Sequence, residues 1–296
     1  MTPSPPSDEF ESHRPRLFGL AYRLLGSAHE AEDAVQDAYL RFSGVDRAAI
    51  EHPGAWLAKA VTNLCLTRLT SARARREEYP GTWLPEPVAT SDGTLGPLES
   101  AERREQVSMA LLVLLERLTP TERAVYVLRE AFGYAHREIA EVLELSEANC
   151  RQLYRRAVAR VAVPEGLFEP APERQEELLM SFLTAAREGD LAALEKMLAA
   201  DVTYWGDGGG KVSAARRPVE GREKVVRFLV GGAGRFTGGL DIVVAEVNGA
   251  SALVAWAGDV LAGVASFELR DGLIAHVRTV MNPDKLAYMR RQLTRS

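Results

Sequence analysis

The sequence predicts a multidomain chain: two all-α helical domains, the second ending in a helix-turn-helix, followed by an α+β cone. Three observations carry that prediction. Apolar residues recur three and four apart over residues 8–78 and again over 98–164, the spacing of buried helix stripes. Between them lies "YPGTWLPEPVATSDGTLGP", residues 79–97, whose Pro, Gly, Ser and Thr mark a linker. Over residues 173–290 helices give way to strand alternation with the turn pairs Asn248-Gly249 and Asp271-Gly272.

The 296 residues suffice for two or three small domains, and 46% apolar content is ordinary for a globular chain. No run of about 18 uncharged apolar residues occurs, and "MTPSPPSDEF" lacks the basic-then-apolar pattern of a signal peptide. A cytoplasmic protein with no membrane partner is therefore expected. Cys65 and Cys150 lie far apart in helical patterns and outside any metal-ligand spacing. Neither a disulfide, a metal nor a cofactor is expected. The net charge of −5 is unevenly spread. Lys59, Arg68, Arg73, Arg75 and Arg76 form one stretch without an acid, and Arg151, Arg155, Arg156 and Arg160 form another. Glu30, Glu32, Asp33 and Asp37 share one short helix. Two basic stripes and one acidic face point to two different partners.

In the first domain Leu17, Leu20, Ala21, Leu24 and Leu25 define one helix, and Ala31, Ala34, Val35, Ala38 and Phe42 a second. Ser27 with Glu30 three residues later reads as a capping box. Pro53 opens a third helix that buries Leu57, Val61 and Leu64. Trp83 and Leu84 are large apolar groups that a purely flexible linker would not need.

In the second domain the helix of Ile139, Ala140 and Leu143 meets a turn at Glu144-Leu145, and Ser146 caps the next helix. There Cys150, Leu153, Tyr154, Ala157, Val158 and Val161 form a buried stripe, which forces Arg151, Gln152, Arg155 and Arg156 outward. A packed back with an Arg/Gln front suits the major groove, because those side chains pair with guanine, adenine and phosphate.

The cone begins with two helices separated near Gly189-Asp190, a strand at 201–205 and a helix near 220–230. Strands follow at 241–247, 251–260, 263–270 and 273–280, wrapping a sheet around an interior. The stretch "YWGDGGGKVS" has no phosphate-loop spacing, because Val212 follows Lys211. Asn282-Pro283 stops the last strand, since proline cannot extend a ladder. Asp207, His276, Arg278 and Trp256 are the available catalytic candidates, but nothing fixes a nucleophile, so no catalytic residue is assigned.

"AEDAVQDAYLRF", "WLAKAVTNLCLTRLTSARAR" and "LTPTERAVYVLRE" with "HREIAEVLELSEANCRQLYRRA" resemble, in order and spacing, the blocks of an extracytoplasmic-function sigma factor of the sigma-70 family. Residues 173–290 resemble the SnoaL-like cone. Trp83-Leu84-Pro85, Asp207-Gly208-Gly209-Gly210-Lys211 and Asn282-Pro283-Asp284-Lys285-Leu286 are similar to motifs of the sigma factors that carry such a domain. The resemblance implies sigma region 2 at 8–78, a linker at 79–97, region 4 at 98–164 and a regulatory domain at 173–290. It implies RNA polymerase core binding through Glu32, Asp33, Gln36 and Asp37. Minus-10 DNA would be met by Asn63, Arg68, Arg73 and Arg75, and minus-35 DNA by Asn149, Arg151, Gln152, Arg155 and Arg156. The three motifs would form an interface that regulates the sigma core in cis, with Lys211 and Asp207 facing that core and a small-molecule effector possible in the cone. Leu153 stands where many relatives carry a basic residue, so base preference does not transfer. The alternatives are a regulator that works without polymerase core, or a SnoaL-type small-molecule enzyme or ligand sensor fused to a DNA-binding module.

Overall fold

The computed structural model describes residues 6–46, 50–91, 95, 107–161, 172–236 and 239–294, which fall into two compact units. Unit one joins Met1–Glu77 to Thr90–Ala162, and unit two joins Glu78–Ala89 to Val163–Ser296. The segment Glu78–Ala89 thus packs with the C-terminal part of the chain.

Unit one is helical. Helices α1 (Pro6–Leu25), α2 (Ala28–Ser43) and α3 (Pro53–Glu77) pack around Leu20, Leu24, Phe42, Leu57 and Val61. Ser27 caps α2, its Oγ accepting from the Glu30 N–H at 3.1 Å. Leu64 is only half-buried. Among the described residues four helices follow: α4 (Met109–Leu115), α5 (Pro120–Glu130), α6 (His136–Leu143) and α7 (Glu147–Val161). Thr119 and Glu122 cap α5 reciprocally, with Pro120 in its first turn. The α6–α7 turn passes through Glu144 at φ 56°, and Ser146 Oγ accepts the Asn149 N–H at 3.2 Å.

On α7 Cys150, Leu153, Ala157 and Val161 are buried. Val158, expected in that stripe, is 41% exposed, because it lies about 100° around the helix from Ala157 and off the packed edge. Tyr154 is half-buried and donates its hydroxyl to Glu130 at 2.6 Å.

Helices α1 and α3 also pack against α5. There Arg123 is buried, donating Nε to the Arg23 carbonyl at 3.1 Å and Nη1 to Glu116 at 2.5 Å. Arg76 of α3 pairs with the same Glu116 and donates to the Leu25 carbonyl at 2.6 Å. Burial lowers Arg123 to about 9 and Arg23 to about 10.

Unit two starts with α8 (Pro172–Glu188) and α9 (Leu191–Met197), with Gly189 at φ 71° and Asp190 capping α9. The sheet has the order β2-β1-β6-β5-β4-β3, with β1 (Leu198–Asp207) parallel to β6 (Leu273–Val280) and the other pairs antiparallel. The remaining strands are β2 (Val219–Glu220), β3 (Asp241–Val247), β4 (Ala250–Ala257) and β5 (Val260–Arg270). Helix α10 (Arg222–Phe236) precedes β3, and α11 (Pro283–Leu293) ends the unit.

Asn248-Gly249 and Asp271-Gly272 turn with φ 53°/76° and 54°/77°, as two-residue hairpin turns require. The strand expected at 251–260 runs through a real turn at Gly258-Asp259, where Gly258 has φ 59°. Leu194, Leu198, Phe182, Val225 and Phe267 make the core between sheet and helices.

Candidate functional site

On α7 the side chains of Asn149, Arg151, Gln152, Arg155 and Arg156 are exposed. Arg151 pairs with Glu147 at 2.7 Å. Arg156 and Arg160 reach the buried Glu122 at 3.2 and 2.5 Å. Burial opposes ionisation of Glu122, yet its bonds from Thr119 and these two guanidiniums outweigh that and hold its carboxyl below the ordinary range. Glu122 therefore caps α5 and ties α7 to it.

Asp33, Gln36 and Asp37 lie on one face of α2, three and four apart, and Leu40 continues that face at 59% exposure. Sequence reasoning passed over Leu40, although its spacing gave it away. Glu32 is half-buried. Arg68 of α3 faces this acidic row, 2.6 Å from Asp37 and 3.7 Å from Asp33, and also donates to the Glu30 carbonyl. Asn63 is exposed, while the side chains of Arg73 and Arg75 lie outside the described residues. Lys59 reaches the helix-turn-helix, 3.2 Å from Glu144 and 3.3 Å from the Glu141 carbonyl.

In unit two the three motifs converge. Asp207, at the end of β1, is fully buried. One of its oxygens accepts the Tyr79 hydroxyl at 2.5 Å and the Gly209 N–H at 3.1 Å. The other accepts the Leu84 N–H at 2.9 Å and Lys285 Nζ at 2.7 Å. Lys285, itself buried, also donates to the Leu84 carbonyl and lies 4.1 Å from the Trp83 ring centre and 4.7 Å from that of Tyr79. Pro85 is buried beside them.

Asn282 caps α11 and donates Nδ2 to the Tyr79 hydroxyl at 2.8 Å. Burial and the bond to Asp207 push the Tyr79 hydroxyl well up, so it stays protonated as a donor. Lys211 pairs with Asp284 at 2.6 Å, on the exposed side. Leu286 is buried and Pro283 exposed. Asp207, read as facing another domain, instead directs its carboxylate to the segment 79–84 and to Lys285. The stretch after Asn282 is a helix packed on β5.

The glycines follow from this closeness. A Cβ on Gly208 would lie 2.1 Å from the Val212 carbonyl oxygen, and one on Gly209 2.3 Å from Asn282 Nδ2. Gly209 and Gly210 also have φ of 59° and 71°, which side chains disfavour. Downstream, Val88 and Asn248 exchange two hydrogen bonds, and Ala89 exchanges two with Gln292. Tyr79, Asn248 and Gln292 gave no such signal in the sequence, because these partners lie 128 or more residues away.

Sheet and helices line a cleft of about 630 Å³ whose walls are largely apolar side chains. Val277 and Thr279 of β6 face it, so His276 and Arg278 point to the opposite face by strand alternation. There Arg278 pairs with Glu268 and lies over Trp205, and burial and the Arg270 charge lower His276. Trp256 is likewise absent from the lining, and Asp207 is held by its own partners. None of the four catalytic candidates reaches the cavity.

A helix-turn-helix with an exposed arginine face, beside a helical domain with an acidic helix, suits a DNA-binding protein with a second, basic partner. A family model described as Sigma-70 region 2 matches residues 10–75, and one described as Sigma-70, region 4 matches residues 108–161. Over 291 residues the chain is 39% identical to the ECF RNA polymerase sigma factor SigJ of Mycobacterium tuberculosis, covering 94% of this chain and 92% of that protein. It is 29% identical to the probable ECF RNA polymerase sigma factor SigI of the same organism, over 98% and 97% of the two chains. The crystal structure of SigJ superposes with a TM-score of 0.75 at 36% identity, over 95% of this chain and 98% of that one. The chain belongs to the extracytoplasmic-function sigma factors of the sigma-70 family. Among the described residues no helix is long and apolar enough to cross a membrane, and no cluster could hold a metal ion.

Proposed function

We propose that this chain acts in the cytoplasm as the promoter-specificity subunit of RNA polymerase, governed in cis by unit two through the segment that joins its two readers. In this reading 8–78 is region 2, 79–97 the linker, 98–164 region 4 and 173–290 the regulatory domain. The acidic face of α2 docks on a basic surface of core polymerase, with Leu40 as an apolar anchor within a charged patch. Helix α7 reads minus-35 DNA, and α3 meets minus-10 DNA through Asn63 and its basic end.

The observation that carries the cis-regulatory reading is the capture of Tyr79 and Leu84 by Asp207 and Lys285. A free 79–97 segment would let the readers separate, whereas one clamped at 79–89 leaves little chain to do so. In this clamped form the two readers are tied to each other, Lys59 to Glu144 and Arg76 to Glu116. The clamped form is therefore the resting one, and release of the segment activates it.

The sigma-factor reading is tested by adding core polymerase and mapping transcript starts. Wild-type protein directs starts at a defined promoter set. Asp33→Lys combined with Leu40→Asp loses core binding in a pull-down while the helical content is kept. Core binding unchanged by that double substitution would remove α2 as the docking element.

A further inference from the structure

The cavity of unit two is unused by the clamp, yet the two share their walls. Its volume of about 630 Å³ falls in the range of sites for small organic molecules, about 300–1,000 Å³. Phe182 of α8, Phe228 of α10 and Phe267 of β5 supply flat apolar surface. Among the described residues the interior polar groups are the hydroxyls of Tyr204 and Thr279, which are hydrogen-bonded to each other. The one charged side chain among the described residues of the lining, Arg227, is exposed and pairs with Glu223. An anion or cation inside would lose hydration without a compensating charge, so the lining selects against it.

Met281 lines the cavity, and its N–H donates to the Asp207 carbonyl at 2.7 Å; the Asn282 N–H donates to the same oxygen at 3.0 Å. Val212, Ser213 and Ala214 also line it, immediately after the glycine loop that hydrogen-bonds Asp207. That loop has no slack: Lys211 and Val212 N–H both return to the Gly208 carbonyl, at 2.9 and 3.0 Å. A movement of either wall segment therefore moves Asp207, and a movement of Asp207 deforms the wall.

We propose that this cavity binds an uncharged, largely apolar small molecule carrying one hydroxyl or carbonyl group, and that its occupancy holds Tyr79 and Leu84 in the Asp207–Lys285 clamp. The Tyr204–Thr279 pair meets the ligand's polar group and the phenylalanines meet its body. The direction follows from the structure: the cavity is open while the clamp is closed, so a ligand that fits it favours the clamped form. By linkage the clamp must in turn favour the ligand. The inference rests on the cis-regulatory reading only for the consequence in transcription, because the test below needs neither polymerase nor promoter.

The test uses the full chain and Nile red, an uncharged apolar dye with a carbonyl group. Saturable binding to wild type is expected, weakened at least about tenfold by Ala265→Phe, which fills the cavity from β5. With the dye at 100 times its Kd, exchange of the Leu84 and Val88 amides is expected to slow by up to about 100-fold. Tyr79→Phe, remote from the cavity lining, is expected to weaken dye binding several-fold with unchanged circular dichroism. Should Ala265→Phe fail to fold, Phe267→Trp serves as the second filling variant. No saturable binding, binding untouched by the filling variants, or binding with no change in linker exchange each overturns the proposal.

Discussion

Removing the ammonium of Lys285 leaves the buried Asp207 carboxylate without its cation. A broken buried pair costs about 3–5 kcal/mol, so Lys285→Met should release the 79–89 segment. The expected readout is hydrogen exchange: the Leu84 and Val88 amides, bonded to Asp207 and Asn248, should lose at least about 100-fold of their protection. Tyr79→Phe removes one hydroxyl that donates to Asp207 and accepts from Asn282, a change of about 1 kcal/mol and so about fivefold in the same amides. Gly209→Ala should act like the lysine variant, because its Cβ would overlap Asn282 and its φ is positive. Amides of β4 and β5 serve as the control, and equal loss there would mean global unfolding rather than release of the segment.

Helix α7 and its anchor set the next scale. Arg155 is exposed, whereas Arg156 spends its guanidinium on Glu122, so the two should differ at promoter DNA. Arg155→Ala should weaken holoenzyme binding by about 1–3 kcal/mol if it reads a base, and lower the salt dependence. Arg156→Ala should also loosen α7 from α5, visible as a lower melting temperature, which Arg155→Ala should leave unchanged. Glu122 adds a pH signature. The fold lowers its pKa, so its stabilisation is complete above the ordinary glutamate range and is lost as pH falls through its own lowered value. Between neutral pH and about pH 3, Glu122→Gln should flatten part of the fall in thermal stability. An identical pH profile for wild type and Glu122→Gln would contradict the anchoring role.

Over the whole molecule, local features were the legible ones. The caps at Ser27 and Ser146, the hairpin pairs and the buried face of α7, apart from Val158 and the half-buried Tyr154, follow from neighbours within a few residues, and sequence reasoning placed them. The overrun through Gly258-Asp259 arose because apolar alternation continues on both sides of that turn. Legible too was the likeness of the three motifs to a known set, but not their geometry. Nothing local says that Asp207 receives the Leu84 N–H, or that the stretch after Asn282 folds back onto the sheet as α11. Such pairings span 78 to 203 residues and depend on the parallel β1–β6 register that brings Asp207 beside Val280. That register also joins the cavity wall to the clamp. The central claim is that the clamped segment keeps the readers in their resting form. It is tested most directly by promoter-specific transcription with saturating core polymerase, comparing wild type with Tyr79→Phe. A release of about 1 kcal/mol should raise initial rates by up to about fivefold, with core binding and circular dichroism unchanged. Rates equal to or below those of wild type, in a protein whose Leu84 amide has lost its protection, would contradict it.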